Sequence, residues 1–163
     1  MREKEKGFTL VEVLAVIVIL GIVMLIAVPS ISKYMDVSRK KSYVSSARSY
    51  IKSVKTKVGA LKYKFNDEYA VYYLPINCID MEKSGNSPYG DWVEAYVLVT
   101  VEGIDYSYFW TSYDDAGNGI IFASEEELDT GIIESGVTSI DKNATINDRS
   151  FPIIMNSSTC LFD

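Results

Sequence analysis

The most informative segment of the sequence is the apolar run Gly7-Phe-Thr-Leu-Val-Glu12-Val-Leu-Ala-Val-Ile-Val-Ile-Leu-Gly21-Ile-Val-Met-Leu-Ile-Ala-Val-Pro29. From Phe8 to Val28 its only polar side chains are those of Thr9 and Glu12. At about 1.5 Å per residue, a helix of this length would be about 31 Å long, which is close to the thickness of the hydrocarbon core of a bilayer. The stretch therefore predicts a helix that can span a membrane.

The carboxylate inside this run is energetically unfavourable in a membrane, because an ionised acid costs about 3 kcal/mol at the centre of a bilayer. Its presence therefore calls for an explanation. Glu12 follows Phe8 by only about 6 Å of helix, which places it near one membrane face and lowers that cost. A signal peptide does not fit, since the apolar run is too long and Pro29-Ser30-Ile31 is a poor exit site. An ordinary single-span anchor explains the run but neither residues 7–10 nor the acid. The unbroken length disfavours a soluble core helix.

Residues 1–35 resemble the N-terminal methylation segment of type IV pilins and the related pseudopilins. The residues that carry the resemblance are Gly7-Phe8-Thr9-Leu10-Val11-Glu12, the apolar run up to Val28, and Pro29. The resemblance implies that a leader, residues 1–7, is cut after Gly7 and that the new N-terminal Phe8 is methylated. It also implies that Glu12 then guides the packing of subunits, and that the helix between Gly21 and Pro29 can lose helicity in a filament.

The same resemblance implies a chain that is held in the cytoplasmic membrane as a prepilin and later lies in a filament at the cell surface. Its partners would be copies of itself, other pilins, a prepilin peptidase, an inner-membrane assembly platform and, before assembly, membrane lipid. The leader is placed inside by the family resemblance. Charge counting alone would favour the reverse, because basic residues follow the run at Lys33, Arg39, Lys40 and Lys41.

Composition excludes several kinds of chemistry. The 163 residues include no histidine, so histidine metal sites and Ser-His or Cys-His nucleophiles are excluded. No other nucleophile–base set stands out, and we expect neither an enzyme nor a cofactor. The two cysteines, Cys78 and Cys160, match no metal spacing. In an exported chain such a pair predicts a disulfide, with two buried free thiols as the alternative.

Charge is divided sharply along the chain. Residues 1–64 contain 13 Lys or Arg and four acids, a net charge of +9, whereas residues 65–163 contain three basic residues and 18 acids, a net charge of −15. The acidic second part argues against nucleic-acid binding by its surface. The basic part could attract anionic lipid or nucleic acid, but a solvated or subunit-facing helix surface is the favoured interpretation.

The helical pattern continues beyond Pro29, which we expect to bend rather than end the helix. Apolar residues recur at spacings of three and four, which places them on one helix face. The stripe is too short for an independent coiled coil and predicts packing on the chain's own sheet. Gly59 weakens the end of this helix, and Asn66-Asp67 would close it. The stripe consists of Val44, Ala47, Ile51, Val54, Val58 and Leu61.

The remainder predicts strands. They are expected at residues 69–74, 92–102 and 104–112, with the last two joined as a hairpin at Glu102-Gly103. Residues 84–91 predict a loop. A turn at 114–119 leads to a short strand at 120–123, and the capping-box spacing of Ser124 and Glu127 can begin one helical turn. The tail from residue 136 predicts a loop with an edge strand over the apolar run 151–155.

These elements predict an α+β, pilin-like fold, in which a long N-terminal helix packs on an antiparallel sheet. The expected organisation is a leader (1–7), a membrane-spanning or filament-core helix (8–29), an amphipathic stem (30–66) and a sheet head (67–163).

Two features of the head invite a functional interpretation. The segment 114–119, Asp-Asp-Ala-Gly-Asn-Gly, has calcium-like composition, and the heads of some pseudopilins bind calcium. The EF-hand pattern fails, however, because alanine stands at its third position, where a calcium-binding oxygen is required, so a plain hairpin turn is favoured. The strand tyrosines predict half-buried side chains with hydroxyls in water rather than an adhesive surface. They are Tyr69, Tyr72, Tyr73, Tyr96, Tyr106, Tyr108 and Tyr113.

The favoured function is that of a structural subunit that polymerises into a type IV pilus-like surface filament, without enzymatic activity. The nearest alternative is a minor pilin or pseudopilin of a secretion or DNA-uptake machine, which would share the same N-terminus. A membrane-anchored binding module is a third hypothesis, and it would keep its leader.

Overall fold

One long helix makes up most of the first described segment. The structure is a computed structural model that describes residues 7–62, 71–79, 86–140, 145–146 and 149–150. Helix α1 spans Leu10–Ala60, 51 residues, and passes through Pro29. Just after the proline, the hydroxyl of Ser30 donates to the carbonyl of Ile26 (3.3 Å) and that of Ser32 to the carbonyl of Val28 (3.1 Å). The prediction that Pro29 does not end the helix is confirmed.

The helix ends at Ala60, one residue after Gly59. The N–H of Leu61 then reaches the carbonyls of both Lys57 (3.0 Å) and Val58 (3.2 Å), the shared pattern that is common in a tightening last turn. The expected closing residues Asn66-Asp67 lie outside the described residues.

The chain divides into two compact units, residues 1–38 and 39–163. The described part of the first unit is the start of α1 and the three residues before it, and its side chains are almost all exposed. The second unit contains the rest of α1 and the sheet, which pack together around one apolar core.

The sheet is an antiparallel meander. Five strands lie in the order β1-β2-β3-β4-β5: β1 Val71–Pro75, β2 Trp92–Glu102, β3 Asp105–Asp114, β4 Asn118–Ser124 and β5 Glu134–Ser135. Short 3-10 helices follow β1 and precede β5, at Ile76–Cys78 and Thr130–Ile132. A separate pair, β6 Thr145–Ile146 and β7 Arg149–Ser150, lies further along the chain. The α+β fold class is confirmed.

The predicted hairpin joins β2 and β3. Glu102 faces Asp105 across a two-residue turn, and Gly103 adopts a φ of 62° at the first turn position. A type II′ turn needs positive φ at that position, which glycine adopts at little cost, and this turn matches the twist of the flanking strands. The chain reverses where the sequence indicated.

The stripe on α1 packs on the sheet, as predicted. Val44, Ala47, Ile51, Val54 and Val58 are buried, and Leu61 is partly buried against the same core. They meet side chains that alternate along the strands to face the helix. On the sheet side these include Tyr72, Leu74, Ala95, Val97, Val99, Val101, Trp110, Ile120 and Ala123.

Two tyrosines of α1 also belong to this core. The ring of Tyr50 stacks on Trp110 with a centroid separation of 5.2 Å. The hydroxyl of Tyr43 lies 2.9 Å from Ser112 Oγ and donates to the carbonyl of Asn118 (3.2 Å). The sequence stripe omitted both residues, although they continue the same spacing, because their hydroxyls make tyrosine ambiguous between core and surface.

Candidate functional site

The predicted cleavage junction lies in exposed, non-helical backbone. Residues 7–9 precede α1, and both Gly7 and Phe8 are exposed, Phe8 by 88%. A Cβ built on Gly7 would meet nothing within 4 Å. A peptidase could therefore bind the Gly7–Phe8 bond without first unwinding a helix at residues 7–9.

Glu12 forms a capping box with Thr9 at the start of the helix. Its Oε2 accepts from the backbone N–H and from the hydroxyl of Thr9, both at 2.8 Å. The Glu12 N–H donates in return to Thr9 Oγ1 at 3.3 Å. This reciprocal pair satisfies two backbone donors that an isolated helix start leaves open. In the single chain Glu12 thus has a local structural role. The Thr-x-x-Glu spacing indicates this capping box, but the sequence analysis did not include it.

The apolar run of α1 lies on the surface of the single chain. Every large hydrophobic side chain from Phe8 to Val28 is between 48% and 88% exposed. A continuous apolar surface of this extent marks a lipid or protein contact in natural proteins. By length and composition this part of α1 can cross a membrane.

Gly21 and Pro29 both lie inside the continuous helix. A Cβ at Gly21 would meet nothing within 4 Å, so no close packing within the chain requires glycine there. The predicted loss of helicity between these two residues concerns the assembled state and stays a prediction.

The comparisons with known proteins bear on this N-terminal segment. Residues 2–28 match the family model described as the prokaryotic N-terminal methylation motif. The chain carries the type IV prepilin signature. The match confirms the resemblance proposed from residues 7–29 and supports a type IV pilin- or pseudopilin-like protein. No match was found among curated proteins, and no solved structure matches the chain.

The turn with calcium-like composition is a hairpin turn between β3 and β4. The buried carboxylate of Asp114 accepts from the hydroxyl of Ser87 and from the backbone N–H of Asn118 at 2.9 Å. Asp115 accepts from the N–H of Asp91 at 3.1 Å. Each of the two carboxylates therefore accepts hydrogen bonds from backbone N–H groups or a hydroxyl of the chain itself. Within the described residues, no cluster of three His, Cys, Asp or Glu suited to a metal ion is formed.

A second capping box forms in the head, as its spacing predicted. Glu127 Oε2 accepts from the N–H and hydroxyl of Ser124 at 2.9 and 2.8 Å, and the Glu127 N–H donates back to Ser124 Oγ at 3.3 Å. The hydrogen bond from the Ser124 N–H lowers the pKa of the Glu127 carboxyl. The segment makes a single turn, which closes with a bond from Leu128 N–H to the Ser124 carbonyl (3.2 Å).

Basic residues of α1 contact this turn. The guanidinium of Arg48 donates to the carbonyl of Leu128 at 2.5 Å. Lys55 pairs with Glu125, and its ammonium lies 5.3 Å from the ring centre of Tyr108. Part of the positive charge of the stem is therefore used inside the chain, against the acidic head.

The strand tyrosines agree only in part with the sequence prediction. Tyr73, Tyr106, Tyr108 and Tyr113 are half-buried. Tyr72 and Tyr96 are buried instead, and Tyr69 lies outside the described residues. Tyr96 packs with Leu98 and Ile140 in a second apolar cluster that does not include α1. The sequence analysis did not predict this cluster, because no segment with a clear apolar pattern was available to cover the second face of the sheet.

The two cysteines can be followed only in part. Cys78 is buried in the 3-10 helix after β1. Cys160 lies outside the described residues, so its pairing with Cys78 stays a prediction.

Proposed function

We propose that the chain is a structural subunit that polymerises into a type IV pilus-like filament at the cell surface. The observation that carries this proposal is the exposed apolar helix behind a prepilin-type junction. In a membrane, lipid covers this helix; after extraction, only other protein chains can cover it, since exposed apolar surface of this extent is strongly unfavourable in water. A bundle of identical helices supplies that cover.

Processing is the first step of the proposed route. The peptidase cuts between Gly7 and Phe8, and the new amine of Phe8 is methylated. Before the cut the chain lies in the cytoplasmic membrane, and afterwards an inner-membrane assembly platform moves it into the filament. The exposed, non-helical backbone of residues 7–9 supports recognition of this bond.

Glu12 has a second role in this proposal. Inside a bundle of apolar helices water is scarce, and a carboxylate left alone there costs several kcal/mol. The positive amine of Phe8, on the same or an adjacent subunit, is the nearest cation that the mature chain offers. The pair would fix the register of assembly more than it adds stability, because a buried ion pair gains little net free energy.

The test is the composition of filaments sheared from intact cells. We expect this protein to be their main component, with its apolar helix protected from added protease. Recovery of the protein only as a trace component would favour a minor pilin or pseudopilin. Recovery only in the membrane fraction, with the leader intact, would favour an anchored binding module and contradict the proposal.

A further inference from the structure

An open cavity of about 390 Å³ lies between β4 and the segment that leads from it to β5. We call it the β4 cavity. It forms because β5 pairs only with Asn118 and Gly119, so the strand contact stops before the rest of β4. The cavity is separate from the N-terminal segment on which the proposed function rests.

The lining of the β4 cavity combines apolar walls with carboxylates. Ile121, Phe122 and Ile132 supply apolar surface, and the exposed acids Glu127 and Glu134 line the same space. An aliphatic chain that ends in a cation matches both parts, because its methylenes cover the apolar surface while its charge meets the acids. A lysine side chain has this chemistry.

Backbone strain marks the same place. Phe122 has a φ of 47°, which is uncommon for a bulky residue. Its N–H donates to the hydroxyl of Thr111 at 2.9 Å. Strained residues of this kind persist where the surroundings fix them, and they cluster at binding sites.

Most of the lysine side chains that could enter the cavity lie on the stem of this protein. Residues 65–163 contain only three basic residues, whereas the stem is strongly basic. Lys41 and Lys52 are exposed on α1 and lie about three helical turns apart, which places both on one face. Within the chain, the stem already contacts the turn beside the cavity through Arg48 and Lys55.

We propose that the β4 cavity binds a lysine side chain from α1 of a second copy of this chain, supplied by Lys41 or Lys52. Two different surfaces meet in such a contact, so it is heterologous and can propagate into an open filament. The inference rests on the proposed function in that a second copy must lie alongside. Beyond polymerisation, the proposed contact specifies the surfaces through which the heads of neighbouring copies touch each other.

The first test places a photo-crosslinking benzoylphenylalanine at Ile132 in the full chain in cells. We expect crosslinked dimers in which the partner peptide contains Lys41 or Lys52. The same probe at Ile104, which is 89% exposed at the hairpin tip and outside the cavity, is the control and should not give those peptides. Crosslinks from position 132 to other peptides, to another protein only, or to nothing would overturn the proposal.

A charge reversal tests the chemistry. Glu134→Lys places like charges together and should lower the yield of dimers from position 132 on the order of tenfold. Combining it with Lys41→Glu or with Lys52→Glu should restore the yield in one of the two. Glu126→Lys, on an exposed acid that does not line the cavity, is the matched control and should leave the yield unchanged. An undiminished yield with Glu134→Lys would overturn the proposal.

The outcomes separate this inference from the proposed function. If filaments form but position 132 does not crosslink to the stem, the cavity contact is wrong and the proposed polymerisation is unaffected. Crosslinked dimers without any surface filament support the cavity contact and contradict polymerisation.

Discussion

Glu12 combines two demands on one side chain. In the single chain its carboxylate completes the capping box with Thr9, through acceptor atoms alone. In the proposed filament it needs its charge, to meet the amine of Phe8. A substitution that keeps the acceptor and removes the charge therefore separates the two demands, and glutamine is such a residue because it also serves in capping boxes.

We predict that Glu12→Gln leaves membrane insertion and leader cleavage intact but prevents entry into filaments. The reason is that the amine of Phe8 loses its counter-charge in the bundle, at a cost of about 3–5 kcal/mol. The measurement is a competition in which tagged variant and parent chains are co-expressed and their ratio in sheared filaments is determined.

The matched control for this experiment is Thr9→Ala, which removes the capping partner and keeps the charge. It should cost the helix start about 1 kcal/mol and leave entry into filaments nearly normal. Equal entry of Glu12→Gln and parent chains would show that the charge has no part in assembly.

Tyr43 links α1 to the sheet by a polar contact within an apolar core. Its hydroxyl joins Ser112 Oγ and the Asn118 carbonyl. We predict that Tyr43→Phe lowers the free energy of unfolding by about 1–2 kcal/mol, because a buried hydroxyl of Ser112 loses its partner. Urea unfolding of residues 30–163 measures this, with Tyr34→Phe, at a 76% exposed position, as the control. Equal losses for the two variants would contradict the assigned contact.

At the scale of elements, the second half of α1 belongs to the head. Its buried stripe covers one face of the sheet. We predict that a fragment starting at Ser30 is a folded, soluble monomer, whereas one starting at Asn66 aggregates or stays unfolded because that face is bare. Circular dichroism and analytical ultracentrifugation distinguish them. A well-folded, monomeric fragment from Asn66 onward would show that the sheet does not need the helix.

The elements that the sequence predicted correctly are those with a strong local signal. The stripe on α1 repeats over several turns, and Gly103 separates two runs of β-branched and aromatic residues. The two-residue strand β5 could not be predicted, since two residues show no periodicity.

The residues of the candidate site also differ in how strongly the local sequence indicates them. Gly7, Phe8 and Glu12 were found because they stand in one short contiguous motif. The capping box of Glu12 was also readable from its spacing and was overlooked. The β4 cavity could not be found from the sequence, because only a bulged strand pairing and a loop bring Ile121 and Glu134 to the lining of one cavity.

At the scale of the whole molecule, alkaline pH should weaken the head. Burial, with help from the charge of Glu94, raises the pKa of Tyr73 to about 12, and burial also raises the pKa values of Tyr43 and Tyr96. The unfolded chain loses these protons first, near pH 10, so stability present below that pH is lost as the pH rises toward the folded pKa values.

We therefore expect the urea midpoint of residues 30–163 to fall between pH 10 and pH 12, at roughly the tyrosine pKa and above. Tyr73→Phe should reduce the size of this fall. A midpoint independent of pH over this interval would contradict the burial assigned to these hydroxyls.

The predicted Cys78–Cys160 bond would tie the C-terminal tail to the segment after β1. Closing a loop of about 80 residues should stabilise the head by about 4–5 kcal/mol in the chain-entropy model. Thiol titration of the denatured, unreduced protein measures it directly. We expect no reactive thiol, and two per chain would refute the bond.

In the proposed function, a processed N-terminus turns this chain into a filament subunit. The most direct measurement is N-terminal mass spectrometry of the protein recovered from sheared surface filaments. We predict a chain that begins at Phe8 and carries an N-methyl group. An intact leader starting at Met1, or cleavage beyond Pro29, would contradict it.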